Sequence, residues 1–240
     1  MHINAYDVQT DNFHTIDYDR WLENTAVDDE RRYKMFKHLC KDKDVLEFGC
    51  GNGGFLRRIK RVAKSVVGIE LEVEAVRHLN SEGIKAVQSV DELDSKKYDA
   101  IVSFMVIEHL VDPFVYLEQL KNLLTDDGIF ICTTVNADDA LITYYNCNPF
   151  QDFTYWSEHV YLYNEDTLVK LLKEVGFKDI TCTQVQRYSL ANHLFWLNCG
   201  KPGGHVKYLE FNDDKLNEEY VRVLRNMKKC DSICVCARKT

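Results

Sequence analysis

The chain has 240 residues, 45% of them hydrophobic, enough for one sizeable core at the usual domain size of roughly 100 to 250 residues. Its 30 Lys and Arg against 38 Asp and Glu leave a net charge of −8, which repels a polyphosphate backbone and argues against a nucleic-acid partner. No apolar run reaches the roughly 18 to 20 residues of a membrane span, and Asp7, Asp11 and Asp17 do not fit a secretory leader, so a cytoplasmic protein is expected.

Residues 1–40 read as an amino-terminal segment, helical from about Tyr18, ahead of a main domain over 41–240. Val45–Phe48 is the first expected strand. After the glycine-rich Gly49 to Gly54, the residues Phe55, Leu56, Ile59, Val62 and Ala63 share one helical face and lead into a strand at Ser65–Ile69. A helix carrying Val73, Val76 and Leu79 stops near Gly83, followed by strands at Ile84–Gln88 and Ala100–Phe104. Helix Phe114–Leu124 and strand Gly128–Val135, entered through an Asp127-Gly128 turn, continue an alternation typical of a parallel sheet covered by helices. Over 136–163 the regularity stops and aromatic side chains crowd a stretch too long for an ordinary connection, as expected of a cap over a site. Helix Glu165–Val175 with its stop at Gly176, strand Ile180–Gln186 and a last strand Ser232–Ala237 follow. Between those two strands, 187–231 holds helical patterns at Leu190–Leu197 and Lys215–Met227, read as a second cap element.

Nine cysteines without paired C-x-x-C spacing predict reduced, mostly buried thiols and no structural zinc. Asn136, Asp138 and Asp139 supply hard oxygens for magnesium, but the strand end at Phe104 and Met105 offers no further ligand, and no metal is expected. Chemistry concentrates at Glu47-Phe48-Gly49-Cys50-Gly51-Asn52-Gly53-Gly54, where a strand runs into glycines that open a helix. Such glycines allow a tight turn and close approach of a ligand to free N–H groups. Gly49, Gly51 and Gly54 also fit G-x-G-x-x-G, which keeps a nicotinamide-dependent oxidoreductase as an alternative. Glu47 weighs against a pyrophosphate, because its charge repels phosphate, and in favour of a ligand carrying ammonium and sulfonium groups, such as S-adenosylmethionine.

With Glu47, Gly49, Gly51 and Gly53 in this order, the sequence resembles the class I S-adenosylmethionine-dependent methyltransferases. Glu70 at the end of the second strand, the stretch Ser89 to Leu93, the string Glu108-His109-Leu110-Val111-Asp112-Pro113 and the late Val175-Gly176-Phe177 extend the likeness over roughly 40–185. The Glu-His string is similar to the small-molecule branch that includes the ubiquinone-biosynthesis methyltransferases, and Glu158-His159 resembles a segment of some sugar methyltransferases. The resemblance implies an α/β fold, Rossmann-like, with a seven-stranded sheet, helices on both faces and a final antiparallel hairpin. It also implies S-adenosylmethionine as donor, S-adenosylhomocysteine as product, and cofactor contacts from Glu47, Gly49, Cys50, Gly51, Gly53, Glu70, Leu71, Ser89, Val90, Phe104 and Met105.

His159, oriented by Glu158, is one candidate base and His109 another; a packed loop histidine and a structural hydrogen bond are the respective alternatives. Gln186 to Ser189, Asn192, His193 and Gly200 to His205 have the character of a substrate-contacting loop. The expected activity is O-methylation of a small polar acceptor, with a sugar, sugar nucleotide or polysaccharide-linked group leading and a quinone-type or other small metabolite second, by a monomer or homodimer. A cofactor-binding scaffold without chemistry of its own is the third possibility.

Overall fold

The structure is a computed structural model that describes residues 17–240, so the expected segment before residue 17, with Asp7 and Asp11, lies outside the described residues. Helix α1 (Tyr18–Cys40) starts where Asp17 accepts a hydrogen bond from Arg20 N at 3.0 Å, and it buries Asp29, Phe36 and Cys40 at helical spacing. Strand β1 (Asp44–Phe48) is buried along its whole length, as a central parallel strand must be. It pairs in parallel with β2 (Ser65–Ile69), Leu46 facing Val67, and with β4 (Tyr98–Phe104), Leu46 facing Ile101. Helices α2 (Gly54–Ile59) and α3 (Val73–Ser81) make the crossovers, and the short β3 (Ala86–Val87) pairs in parallel with β2.

Next come α4 (Pro113–Leu123), β5 (Leu124–Val135), α5 (Asn148–Thr154), α6 (Glu165–Val175), β6 (Lys178–Val185), α7 (Leu190–Cys199), α8 (Gly204–Lys207), α9 (Asp214–Met227) and β7 (Ser232–Arg238). The seven strands form one sheet in the order β3-β2-β1-β4-β5-β7-β6. Thr181 Oγ1 donates to Cys236 O and Asp231 N donates to Gln186 Oε1, so β6 and β7 run in opposite directions. The β7 end likewise reverses along β5: Arg238 donates to Asp127 O at 3.0 Å and Thr240 Oγ1 to Asp126 O at 2.8 Å. These bonds explain why β5 runs unbroken from Leu124 where a turn at Asp127-Gly128 is expected from the sequence.

The chain forms two compact units. One joins the described residues up to Phe104 with Val115–Ile131 and Ala237–Thr240. Its core includes Phe104, stacked on Phe36 at 5.6 Å and met edge-on by Phe55 at 5.0 Å. The other joins Met105–Phe114 with Cys132–Cys236. In it, the stretch expected to be irregular holds a π-helical turn (Ala140–Tyr144) and α5. Asp139 caps the turn by accepting from Leu141 N at 2.6 Å, Pro149 suits the first turn of α5, and Leu141, Ile142, Cys147 and Phe150 pack with Trp196. The sequence signal is faint because these apolar residues serve two short elements, neither long enough to show a period. Helix α6 keeps its expected bounds, from an Asn164–Thr167 capping box to the left-handed Gly176. All nine cysteines are free thiols, and among the described residues no helix is long and apolar enough to cross a membrane.

Candidate functional site

The β1–α2 turn bends through three left-handed residues, Gly49, Gly51 and Gly53, with φ of 74°, 52° and 71°. An L side chain is strained there, and a Cβ on Gly53 would strike Leu79. Gly49 N and Cys50 N both donate to Ile69 O, at 2.9 and 3.0 Å, which fixes the turn to the end of β2. Glu70 closes it from the other side: Oε2 accepts from Gly51 N at 2.7 Å and Oε1 from Glu72 N at 3.0 Å.

Helix α1 is latched onto this turn, which the sequence does not announce. Asn52 accepts from Gly54 N and donates to Thr25 Oγ1, both at 2.9 Å, and Thr25 donates to Asp29 Oδ2 at 2.8 Å. Asp29 is buried between Arg32 at 3.3 Å and Arg58 at 3.7 Å, and a Cβ on Gly54 would collide with its carboxylate. The Trp21 ring stands 3.2 Å from where a Cβ of Gly51 would be. Tyr18 stacks on His78 at 4.0 Å, and its buried hydroxyl has no hydrogen-bond partner.

Glu47 is 3% exposed and its buried Oε2 also lacks a partner. Burial pushes its carboxyl well above the usual range; Arg32 opposes the shift, while Asp29 and Glu70 add to it. Burial therefore disfavours the charge that the sequence suggests, and a cationic group brought against Glu47 would favour it. The other expected cofactor residues have mixed settings. Cys50 is buried against Gly68, Leu71 is 82% exposed, and Val90 is half-buried beside Ser89, whose hydroxyl donates to Glu92 at 3.3 Å. Phe104 is core, with Arg32 over its ring at 4.9 Å. Met105 takes a left-handed φ of 59°, and its N–H donates to Thr133 O at 2.8 Å.

His109 and His159 come together in the second unit, ring centroids 5.0 Å apart. His109 Nδ1 lies 2.8 Å from Glu158 O and His159 Nδ1 lies 2.7 Å from Thr154 O. Each carbonyl holds the proton on Nδ1 and leaves the basic lone pair on Nε2. The expectation that the Glu158 carboxylate orients His159 is corrected here: Thr154 O orients His159, and Glu158 bonds His109 through its main chain, because the chain turns at Trp156–His159 with His159 N donating to Trp156 O. Burial lowers the pKa of His159, against the Thr154 hydrogen bond, with His109 and Arg187 adding to the fall. The carboxylate of this cluster is Glu108, fully buried, with Oε2 accepting from Thr134 at 2.8 Å and Oε1 unpartnered. Two Glu-His pairs were the only sequence signal that could have found it.

Residues weighed for a metal or for substrate contact support the fold. Asn136 donates to Cys230 O at 2.8 Å, and burial followed by Asp231 raises Asp139 to about 7. Arg187 pairs with the buried Asp231 at 2.8 Å, and Asn192 accepts from Gly203 N at 3.0 Å. His193 is enclosed against the Tyr220 hydroxyl at 2.8 Å, and burial lowers it to about 4.

A family model described as "Methyltransferase domain" matches residues 18–182. Relatives include a probable S-adenosylmethionine-dependent methyltransferase of Mycobacterium tuberculosis, 31% identical over 153 residues that cover 62% of this chain and 53% of the relative. A tRNA U34 carboxymethyltransferase of Pasteurella multocida is 29% identical over 173 residues, 66% of this chain and 53% of the relative. A ubiquinone biosynthesis O-methyltransferase of Dinoroseobacter shibae is 28% identical over 111 residues, 39% and 42%. The chain thus spans about half the length of the curated relatives it matches. Among solved structures, a SAM-dependent methyltransferase from Archaeoglobus fulgidus shares the fold, with a TM-score of 0.62 at 17% identity over 93% of this chain and 100% of that one. The family match runs from α1 into β6 and takes in the glycine turn, Glu70 and both Glu-His pairs: the chain belongs to the methyltransferase-domain family.

Proposed function

We propose that the chain is an S-adenosylmethionine-dependent methyltransferase that acts on an oxygen of a small polar acceptor. The observation that carries the donor assignment is the unpartnered Glu47 carboxyl ahead of the left-handed glycine turn. A buried acid there is unfavourable for a pyrophosphate and favourable for an ammonium or sulfonium group. Glu70 spends one lone pair of each oxygen on a backbone N–H and keeps the others for the two ribose hydroxyls. The expected free N–H groups of the turn are not free, since the Gly49, Gly51, Gly53 and Gly54 amides all donate within the protein; what the glycines offer a ligand is close approach to the backbone. When bound, S-adenosylmethionine supplies the methyl group on a positive sulfur.

His159 is the acceptor-side group in this reading. Burial favours its unprotonated form, and Nε2 would take the proton of an acceptor hydroxyl.

A sugar, sugar nucleotide or polysaccharide-linked acceptor is favoured by the exposed rings of Tyr144, Tyr155 and Tyr161, which offer faces to a pyranose. The names of two relatives point elsewhere, to ubiquinone biosynthesis and to tRNA, and the net charge of −8 argues against the second. Incubation with methyl-labelled donor and each acceptor class in turn tests the reading. Label is expected in the sugar pool, and His159→Gln should lower turnover roughly 10²- to 10⁴-fold with unchanged S-adenosylhomocysteine affinity. Label confined to quinone precursors or tRNA contradicts the sugar assignment, and retained turnover in the variant contradicts the role of His159.

A further inference from the structure

We infer that Glu108, His109 and His159 form a binding site for one divalent first-row transition metal ion. One carboxylate oxygen of Glu108 and one ring nitrogen of each histidine lie within 4.8 Å of one another. Two ligands about 2.1 Å from a tetrahedral ion are about 3.4 Å apart, so the side chains close by up to about 1.4 Å when the ion binds, a movement that side-chain rotation supplies. All three residues belong to the same compact unit, so the grouping rests on local geometry.

Glu108 gives the second, independent observation. It has no exposed surface, Thr134 satisfies Oε2, and Oε1 is buried without any partner. Burial raises the Glu108 pKa, and an unpartnered oxygen there costs free energy that a proton or a cation removes. Each Nδ1 lies against a main-chain carbonyl, Glu158 O for His109 and Thr154 O for His159, the outer contact that a histidine ligating through Nε2 uses. Thr134 plays the matching outer role for the carboxylate. Two imidazoles and one carboxylate suit zinc, cobalt, manganese or iron and do not suit magnesium or calcium, which take oxygen ligands. Three protein ligands leave coordination positions open.

The consequence for chemistry rests on the methyl-transfer reading above. An acceptor hydroxyl bound at an open position would lose its proton more readily and pass it to solvent water, so in the loaded protein the ion would take over the part that His159 Nε2 plays in the metal-free one.

The test is titration of the metal-free whole chain with Co²⁺, read by visible absorption and calorimetry, with Mg²⁺ in parallel and S-adenosylhomocysteine binding measured on the same samples. One Co²⁺ per chain with visible ligand-field bands is expected, displaced by Zn²⁺ and not by Mg²⁺. Glu108→Gln and His159→Gln should each weaken Co²⁺ by at least the roughly 10- to 100-fold that loss of an outer partner costs, while S-adenosylhomocysteine affinity holds and shows both variants to be folded. A wild-type chain that takes up no Co²⁺, or binds it equally in both variants, overturns the site. Methyl transfer undiminished after dialysis against EDTA overturns the metal's part in catalysis and leaves the methyltransferase reading standing. Stoichiometric Co²⁺ uptake that requires Glu108 and His159, in a wild-type chain that does not bind S-adenosylhomocysteine, upholds the site and contradicts that reading.

Discussion

Glu47 holds a carboxyl group out of water with one oxygen unpartnered, a cost of about 1 to 3 kcal/mol that a cationic ligand group removes. Because burial keeps that carboxyl protonated above the ordinary range, a ligand that needs it ionised must expel its proton. Calorimetry of S-adenosylhomocysteine binding near neutral pH, in buffers of different ionisation enthalpy, should show proton release by the wild type and less by Glu47→Gln; equal release by both would contradict this role. Glu47 and the glycines were legible in the sequence because their chemistry is set by neighbours in the chain. Glu108 is not, since its setting depends on Thr134 and His159 arriving from distant segments, and Glu158 misleads because neighbours in sequence need not touch through their side chains.

At the scale of elements, α1 was legible as a helix from its periodicity beyond Tyr18, but its partner was not. Thr25, Asn52 and Asp29 carry no motif, and only the folded chain makes them a latch between α1 and the glycine turn. Thr25→Val removes the acceptor for Asn52 Nδ2 and the donor for Asp29 at nearly constant volume, so denaturant unfolding should show a loss of about 1 to 3 kcal/mol. Asp29→Ala leaves Arg58 and Arg32 without their buried counter-charge and should cost more, about 3 to 5 kcal/mol. If both variants unfold with the wild type, the latch is only a surface contact. The short elements α5 and α8 and the π-helical turn escaped the sequence reading for a related reason: pieces of four to seven residues are set by capping and packing, not by periodicity.

For the whole molecule, the order of strands and helices was readable because a buried parallel sheet requires apolar runs and its crossovers require amphipathic helices. The unbroken β5 was not, since bonds to the end of β7 impose it. Global stability should carry a trace of Asp139. Its folded pKa of about 7 lies above the ordinary 3.8, so the contribution is fully present below about 3.8 and is lost as pH rises to about 7, by up to about 1.4 kcal/mol per pH unit. His193 acts in the opposite sense between about 4 and 6.5, so the difference between wild type and Asp139→Asn isolates the aspartate. That difference should change across pH 4 to 7 in urea unfolding, and a constant difference would contradict the burial argument. The central claim is most directly examined by calorimetry of the wild-type and Glu47→Ala chains with S-adenosylhomocysteine and with NAD. The account predicts one S-adenosylhomocysteine per chain, weakened about 10- to 100-fold in the variant, and no NAD binding; NAD bound in its place, or an affinity indifferent to Glu47, would contradict it.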